Sequence, residues 1–126
     1  MDMKPKIKSF KDLNVWSYGH DLVLEIYKMT KSFPSDEQFG LTNQMRRCAV
    51  SITSNIAEGF SRQSYKDKNQ FYSISQGSLT ELQNQLLIAK DIGYITQKIF
   101  SDLADKTVTI NKLLNGLIKS SRSHYS

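Results

Sequence analysis

Proline occupies only two positions in this 126-residue chain, Pro5 and Pro34. A proline inside a helix removes a backbone donor and collides with the preceding turn, so proline spacing limits how long a helix can run. Beyond Pro34 nothing of that kind interrupts the chain, and the glycines stand singly. Long unbroken segments favour helices over many short strands. A chain of this length is one domain and can bury a core without staples.

Apolar spacing divides the chain into four helical segments. Residues 1–11 read as a basic flexible arm. The first helix is expected from about Asp12, as N-cap, to Lys31, with Leu13, Trp16, Val23, Ile26, Tyr27 and Thr30 at helical spacing. Phe33-Pro34-Ser35-Asp36 is the turn, and Ser35 with Gln38 has the form of a capping box. The second helix is expected from Phe39 or Leu41 to Glu58, on a stripe of Leu41, Met45, Cys48 or Ala49, Ile52 and Ile56. Gly59 then stands where a C-terminal glycine belongs.

The third helix starts after Ser64 and runs to about Ile92, with Gly93 as its stop. Its seam reads Phe71, Ile74, Ser78, Leu82, Leu86 and Ala89. The fourth runs from about Thr96 to Ser120 on Ile99, Leu103, Thr107, Ile110, Leu114 and Leu117, leaving 121–126 as a frayed tail. Short loops between long helices force antiparallel neighbours. The expected fold is therefore all-α: an up-down-up-down antiparallel four-helix bundle over residues 12–120. Tyr18, Leu24, Tyr72, Leu79 and Leu87 fall off these seams. Such exposed apolar residues predict assembly into a cyclic homo-oligomer.

The chain lacks the residue sets of several chemistries. Its two histidines, His20 and His124, follow serines by three residues, so the Glu-x-x-His pairs of a di-iron bundle are missing. One cysteine and two distant histidines do not make a zinc site. No Gly-x-x-x-x-Gly-Lys loop is present for phosphates. Cys48 sits on the predicted core stripe, where packing is the usual role of a lone cysteine. The sequence thus predicts no catalytic residue, metal, cofactor or small-molecule substrate. The single cysteine fits a reducing compartment. The N-terminus lacks the apolar stretch of a signal peptide and no run is long enough to span a bilayer, so the protein is expected in the cytoplasm, off the membrane.

Asn55 and Glu58 share a helix face beside Ile52 and Ile56. With Ser78 and Glu81 they are expected to form a structural polar network between the second and third helices, or an interface. A ligand-binding or catalytic carboxylate pair is the sharper alternative.

The net charge is +5. In an up-down bundle, Lys4, Lys6, Lys8, Lys11, Arg62, Lys66, Lys68, Lys112, Lys119 and Arg122 share one half, and only Asp2, Asp12, Glu58 and Asp67 oppose them. That half carries a surplus of +6 and the other −1. A solvated end that aids solubility is the bland reading. The functional one is RNA or DNA binding through all of these cations except Lys112. Removing Lys4, Lys6 and Lys8 is then expected to weaken binding more than neutralising Arg46 and Arg47.

Several clusters carry a family resemblance. They are Phe10-Lys11-Asp12-Leu13 with Val15-Trp16, Phe33-Pro34 with Glu37, and Phe39-Gly40-Leu41-Thr42 with Gln44. Ser51-Ile52 with Asn55-Ile56-Ala57-Glu58-Gly59, Gly77-Ser78-Leu79 with Glu81-Leu82, and Gly93-Tyr94-Ile95 complete them. In this order they resemble the 23S rRNA intervening-sequence protein family across nearly the whole chain. The resemblance implies an up-down four-helix bundle and a homopentamer. It also implies a distant similarity to the accessory proteins of diversity-generating retroelements, which partner a reverse transcriptase and nucleic acid. A scaffold that binds such a protein partner, with no nucleic-acid contact of its own, is the alternative function. Thr53 stands where the family pattern has proline, which relaxes a kink in the second helix.

Overall fold

The computed structural model describes residues 6–125. Ser9 caps the first turn: its hydroxyl accepts from the Lys11 amide, and the Asp12 carboxylate accepts from the amides of Ser9 and Lys8. This box closes a single 3-10 turn, Phe10–Asp12. Asp12 therefore caps that turn instead of the first long helix, α1, which spans Asn14–Thr30 behind Leu13. The predicted box at Ser35 is likewise absent: Ser35–Glu37 is a 3-10 turn entered from Pro34, without a side-chain cap.

The remaining helices are α2, Leu41–Ser61, α3, Tyr65–Asp91, and α4, Gln97–Tyr125. Ser64 caps α3 by accepting from the Asp67 amide at 3.1 Å. Gly93, at φ +85°, ends it. There the Tyr94 amide reaches back to the Ala89 carbonyl at 2.8 Å, the closure a left-handed residue makes possible. Thr96 caps α4 through the Ile99 amide. α4 runs past the expected end at Ser120, because Ser121 is buried and Arg122 bonds to Tyr65 on α3.

Each helix packs on two neighbours, closing a ring α1–α2–α3–α4–α1, while the backbones of α1 and α3 stay apart across the core. Across α2 and α3, Ser51 meets Ser78, Ile52 meets Ser75, and Gly59 meets Tyr72. Residue numbers rise on one helix as they fall on the other. Gln83 to Thr107 and Gln76 to Asn115 repeat that order between α3 and α4. No strand occurs among the described residues. No helix of the described residues is long and apolar enough to cross a membrane.

Two features of the core differ from the sequence expectation. Gly59 does not end α2; it lies inside it, against the Tyr72 ring. On α3 the seam is rotated: Tyr72 and Leu79 are each 1% exposed, whereas Ile74 is 46% exposed. Ser75 takes a core place because its hydroxyl donates to the Ile52 carbonyl at 2.7 Å, which draws the two backbones together. Tyr27 and Ile99, also expected inside, are exposed.

Candidate nucleic-acid interface

The cations assigned to one half of the molecule have different fates. Lys4 lies outside the described residues. Lys6, Lys8 and Lys11 are exposed beside the first 3-10 turn, which packs on α1 and α2. The Asp12 carboxyl among them is held below its usual range, mainly by the amide of Lys8 and then that of Ser9. Asp12 therefore stays ionised and offsets part of the arm's charge.

Lys68 is no surface group. It is 4% exposed, and its ammonium donates to the Phe60 carbonyl at 2.8 Å and the Gly59 carbonyl at 3.4 Å. Those carbonyls belong to the last turn of α2, the negative end of the helix dipole, where a cation is favoured. Burial draws the Lys68 pKa below the ordinary lysine value. Lys68 thus leaves the set available to phosphates. Arg62 is exposed but pairs with Glu58 at 3.1 Å and lies over the Phe71 ring.

What remains gathers on α4. Lys112, Asn115, Gly116, Ile118, Lys119 and Arg122 line a shallow cleft of about 560 Å³ that contains no acid. Their spacing repeats at three and four residues, which keeps them on one helix face. Arg122 donates from Nε and Nη2 to the Tyr65 hydroxyl at 3.2 and 3.1 Å, fixing the guanidinium beside the start of α3. Gln76 donates to Asn115 at 2.6 Å, so α3 also orients an amide at the cleft. Exposed Lys66 lies one residue beyond Tyr65. Lys112 completes this face, although the sequence reading left it out of the candidate contacts. Its helical register with Lys119 was the available signal.

The polar residues of the second and third helices also divide. The Asn55 amide donates to the Ser51 carbonyl at 2.8 Å and hydroxyl at 3.1 Å, and the Ser51 and Ser78 hydroxyls lie 2.9 Å apart. Cys48 donates to the Ser78 carbonyl at 3.0 Å and to Glu81 at 3.4 Å. Glu58 stands outside this chain of contacts, turned to Arg62. The Asn55–Ser51–Ser78 links hold α2 to α3.

Burial, then the Glu81 carboxylate, push the Cys48 thiol up to about 12 from an ordinary 9.0. Thiolate at pH 8 is then roughly a thousandfold scarcer than for a free thiol. Native Cys48 should resist iodoacetamide at pH 8 and react once denaturant is added. Prompt alkylation of the folded protein would contradict this assignment. Among the described residues no three His, Cys, Asp or Glu side chains gather where a metal ion could be held.

Residues 11–116 match the family of 23S rRNA-intervening sequence proteins. No curated protein matches the chain. A crystal structure of a protein of unknown function, from the S23 ribosomal protein family of Bacteroides thetaiotaomicron, is similar to it. The two are 24% identical, the match covers 83% of this chain and 95% of that one, and the TM-score is 0.76. At that identity the likeness speaks for the fold alone.

Proposed function

The chain belongs to the 23S rRNA-intervening sequence protein family, and from that premise we propose that it is a non-enzymatic cytoplasmic interaction protein that holds RNA or DNA phosphates on the basic face of α4. In this reading the four helices form an up-down-up-down antiparallel bundle. Copies of the chain assemble into a cyclic homo-oligomer, most simply the pentamer that the family resemblance implies. Opposed residue order across α2–α3 and α3–α4 supports that topology.

The observation that carries the proposal is the acid-free cleft of Lys112, Lys119 and Arg122. By contrast, the clefts between α1 and α4 include Glu25, and that between α2 and α3 includes Glu81. The engaged state of Cys48, Asn55 and Ser78 supports a structural role for the polar chain between α2 and α3. A ring of subunits would present the basic face several times, and linked weak contacts gain from effective concentration.

Contacts of this kind go to phosphates and carry little sequence information. Fluorescence anisotropy with mixed-sequence RNA and with DNA of equal length tests the proposal. Binding should be nearly independent of sequence and fall linearly in log affinity against log salt. Absence of binding at low salt would refute it. Binding of a reverse transcriptase by a chain that ignores nucleic acid would select the scaffold alternative and its kinship to retroelement accessory proteins.

A further inference from the structure

We propose that the basic cleft of α4 selects RNA over DNA: the Asn115 side-chain amide donates to a ribose 2′-hydroxyl, and Gly116 lets the sugar come close to the helix backbone. The inference rests on the phosphate-holding reading above and names the substrate class of that site.

The Asn115 amide is turned by a contact from another helix. Gln76 on α3 donates from Nε2 to Oδ1 of Asn115 at 2.6 Å and to Oδ1 of Asn111 at 3.5 Å. The oxygen of Asn115 is thereby engaged toward α3, which leaves Nδ2 as the end the side chain offers. Among the described residues nothing accepts from that Nδ2. Asn115 is exposed and lines the cleft. A neutral donor is thus fixed among three cations.

Its place between the cations decides what it meets. Lys112 stands three residues before Asn115 and Lys119 four residues after, on one helix face. The two lysines are about 10 Å apart along the helix axis. Phosphates are drawn to them and to Arg122. Between successive phosphates a strand carries its sugar, so a group between the two lysines faces a sugar. Deoxyribose has no acceptor at the 2′ position. Ribose has a hydroxyl there, a donor and an acceptor, and it is the group by which a protein tells RNA from DNA.

Gly116 points the same way. It is exposed inside α4, and a β-carbon built there meets nothing within 4 Å. Its backbone is not left-handed either, since Gly93 alone has positive φ among the described glycines. Neither crowding nor conformation requires glycine at this position, where it weakens the helix relative to alanine. It lines the cleft beside Asn115. Close approach of a ligand to the backbone accounts for it.

Fluorescence anisotropy on the full chain, with single-stranded RNA and DNA of matched sequence, tests this. RNA should bind roughly threefold to tenfold more tightly, as one net hydrogen bond contributes. Asn115→Ala should bring RNA down to the DNA level and leave DNA affinity unchanged. Gln76→Leu should narrow the ratio without changing DNA affinity, because Gln76 only orients the amide; an unchanged ratio would overturn that role. Gly116→Leu should weaken binding of both nucleic acids while raising the thermal midpoint, opposite signs that a structural glycine would not give. Equal affinity of the wild type for RNA and DNA would overturn the inference and leave phosphate binding standing; binding of neither would overturn both. An Asn115→Ala variant that keeps the preference, or a Gly116→Leu variant that binds like the wild type, would overturn the assignment of these residues. A preference among RNA sequences that Asn115→Ala abolishes would place the amide on a base edge and overturn the ribose contact.

Discussion

Gly59→Ala should lower the thermal midpoint while Gly116→Ala raises it, although both replace a glycine inside a helix. Helix propensity alone favours alanine at either site by about 1 kcal/mol. At Gly116 a β-carbon meets nothing within 4 Å, so that gain survives. At Gly59 it would stand 2.5 Å from Cε1 and 2.7 Å from Cδ1 of Tyr72, and 3.2 Å from the Lys68 carbonyl. The ring is 1% exposed and cannot swing aside without disturbing its packing. Overpacking of this kind costs about 1–3 kcal/mol. The same shift would disturb the seat of the Lys68 ammonium on the Gly59 and Phe60 carbonyls. The two variants should therefore differ by roughly 2 kcal/mol, several degrees in melting temperature. Calorimetry at one protein concentration reads the difference, and equal shifts would contradict the close packing of α2 on α3.

The same position shows where sequence reading succeeds and where it stops. Local signals of caps and breakers were legible at α3: Ser64 caps it and Gly93 ends it. They are written within a few residues of the feature they create. Gly59 misled because its reason is Tyr72, on another helix, and a glycine kept for close approach looks like one kept for a turn. Asp12 misled by a smaller margin, since its carboxylate serves a turn placed just ahead of α1.

The α3 seam failed for a different reason. Apolar residues lie on two faces of that helix, so periodicity fits either, and only the partner helices decide that Tyr72 and Leu79 go in while Ile74 stays out. Exposure at Tyr18, Leu24 and Leu87 agrees with the sequence reading; burial of Tyr72 and Leu79 corrects it. Of the basic residues, charge counting could place Lys68 in the right half but not on the α2 terminus. A lysine that closes the previous helix has no local sequence mark.

Replacing Lys112, Lys119 and Arg122 by glutamine is the second large effect expected. All three are exposed; Arg122 also holds the end of α4 on Tyr65, so any loosening should stay in that last turn and the rest of the bundle should be unaffected. Each phosphate contact contributes close to one unit of the log–log salt slope. Their joint loss should flatten that slope by roughly 2–3 and weaken low-salt binding by at least about tenfold. The control replaces Lys31, Arg47 and Lys98, which are also exposed and lower the net charge by the same amount. Arg46 is unsuited as a control, because it donates to Thr30 and the Tyr27 carbonyl and so supports the α1–α2 packing.

Titration of mixed-sequence RNA against these two triple variants and the wild type, across a salt series, tests the central claim most directly. The account predicts that the α4 variant loses affinity and salt slope while the control keeps nearly all of both. Equal losses in the two variants would mean that net charge, and not the α4 face, attracts nucleic acid, and would contradict it.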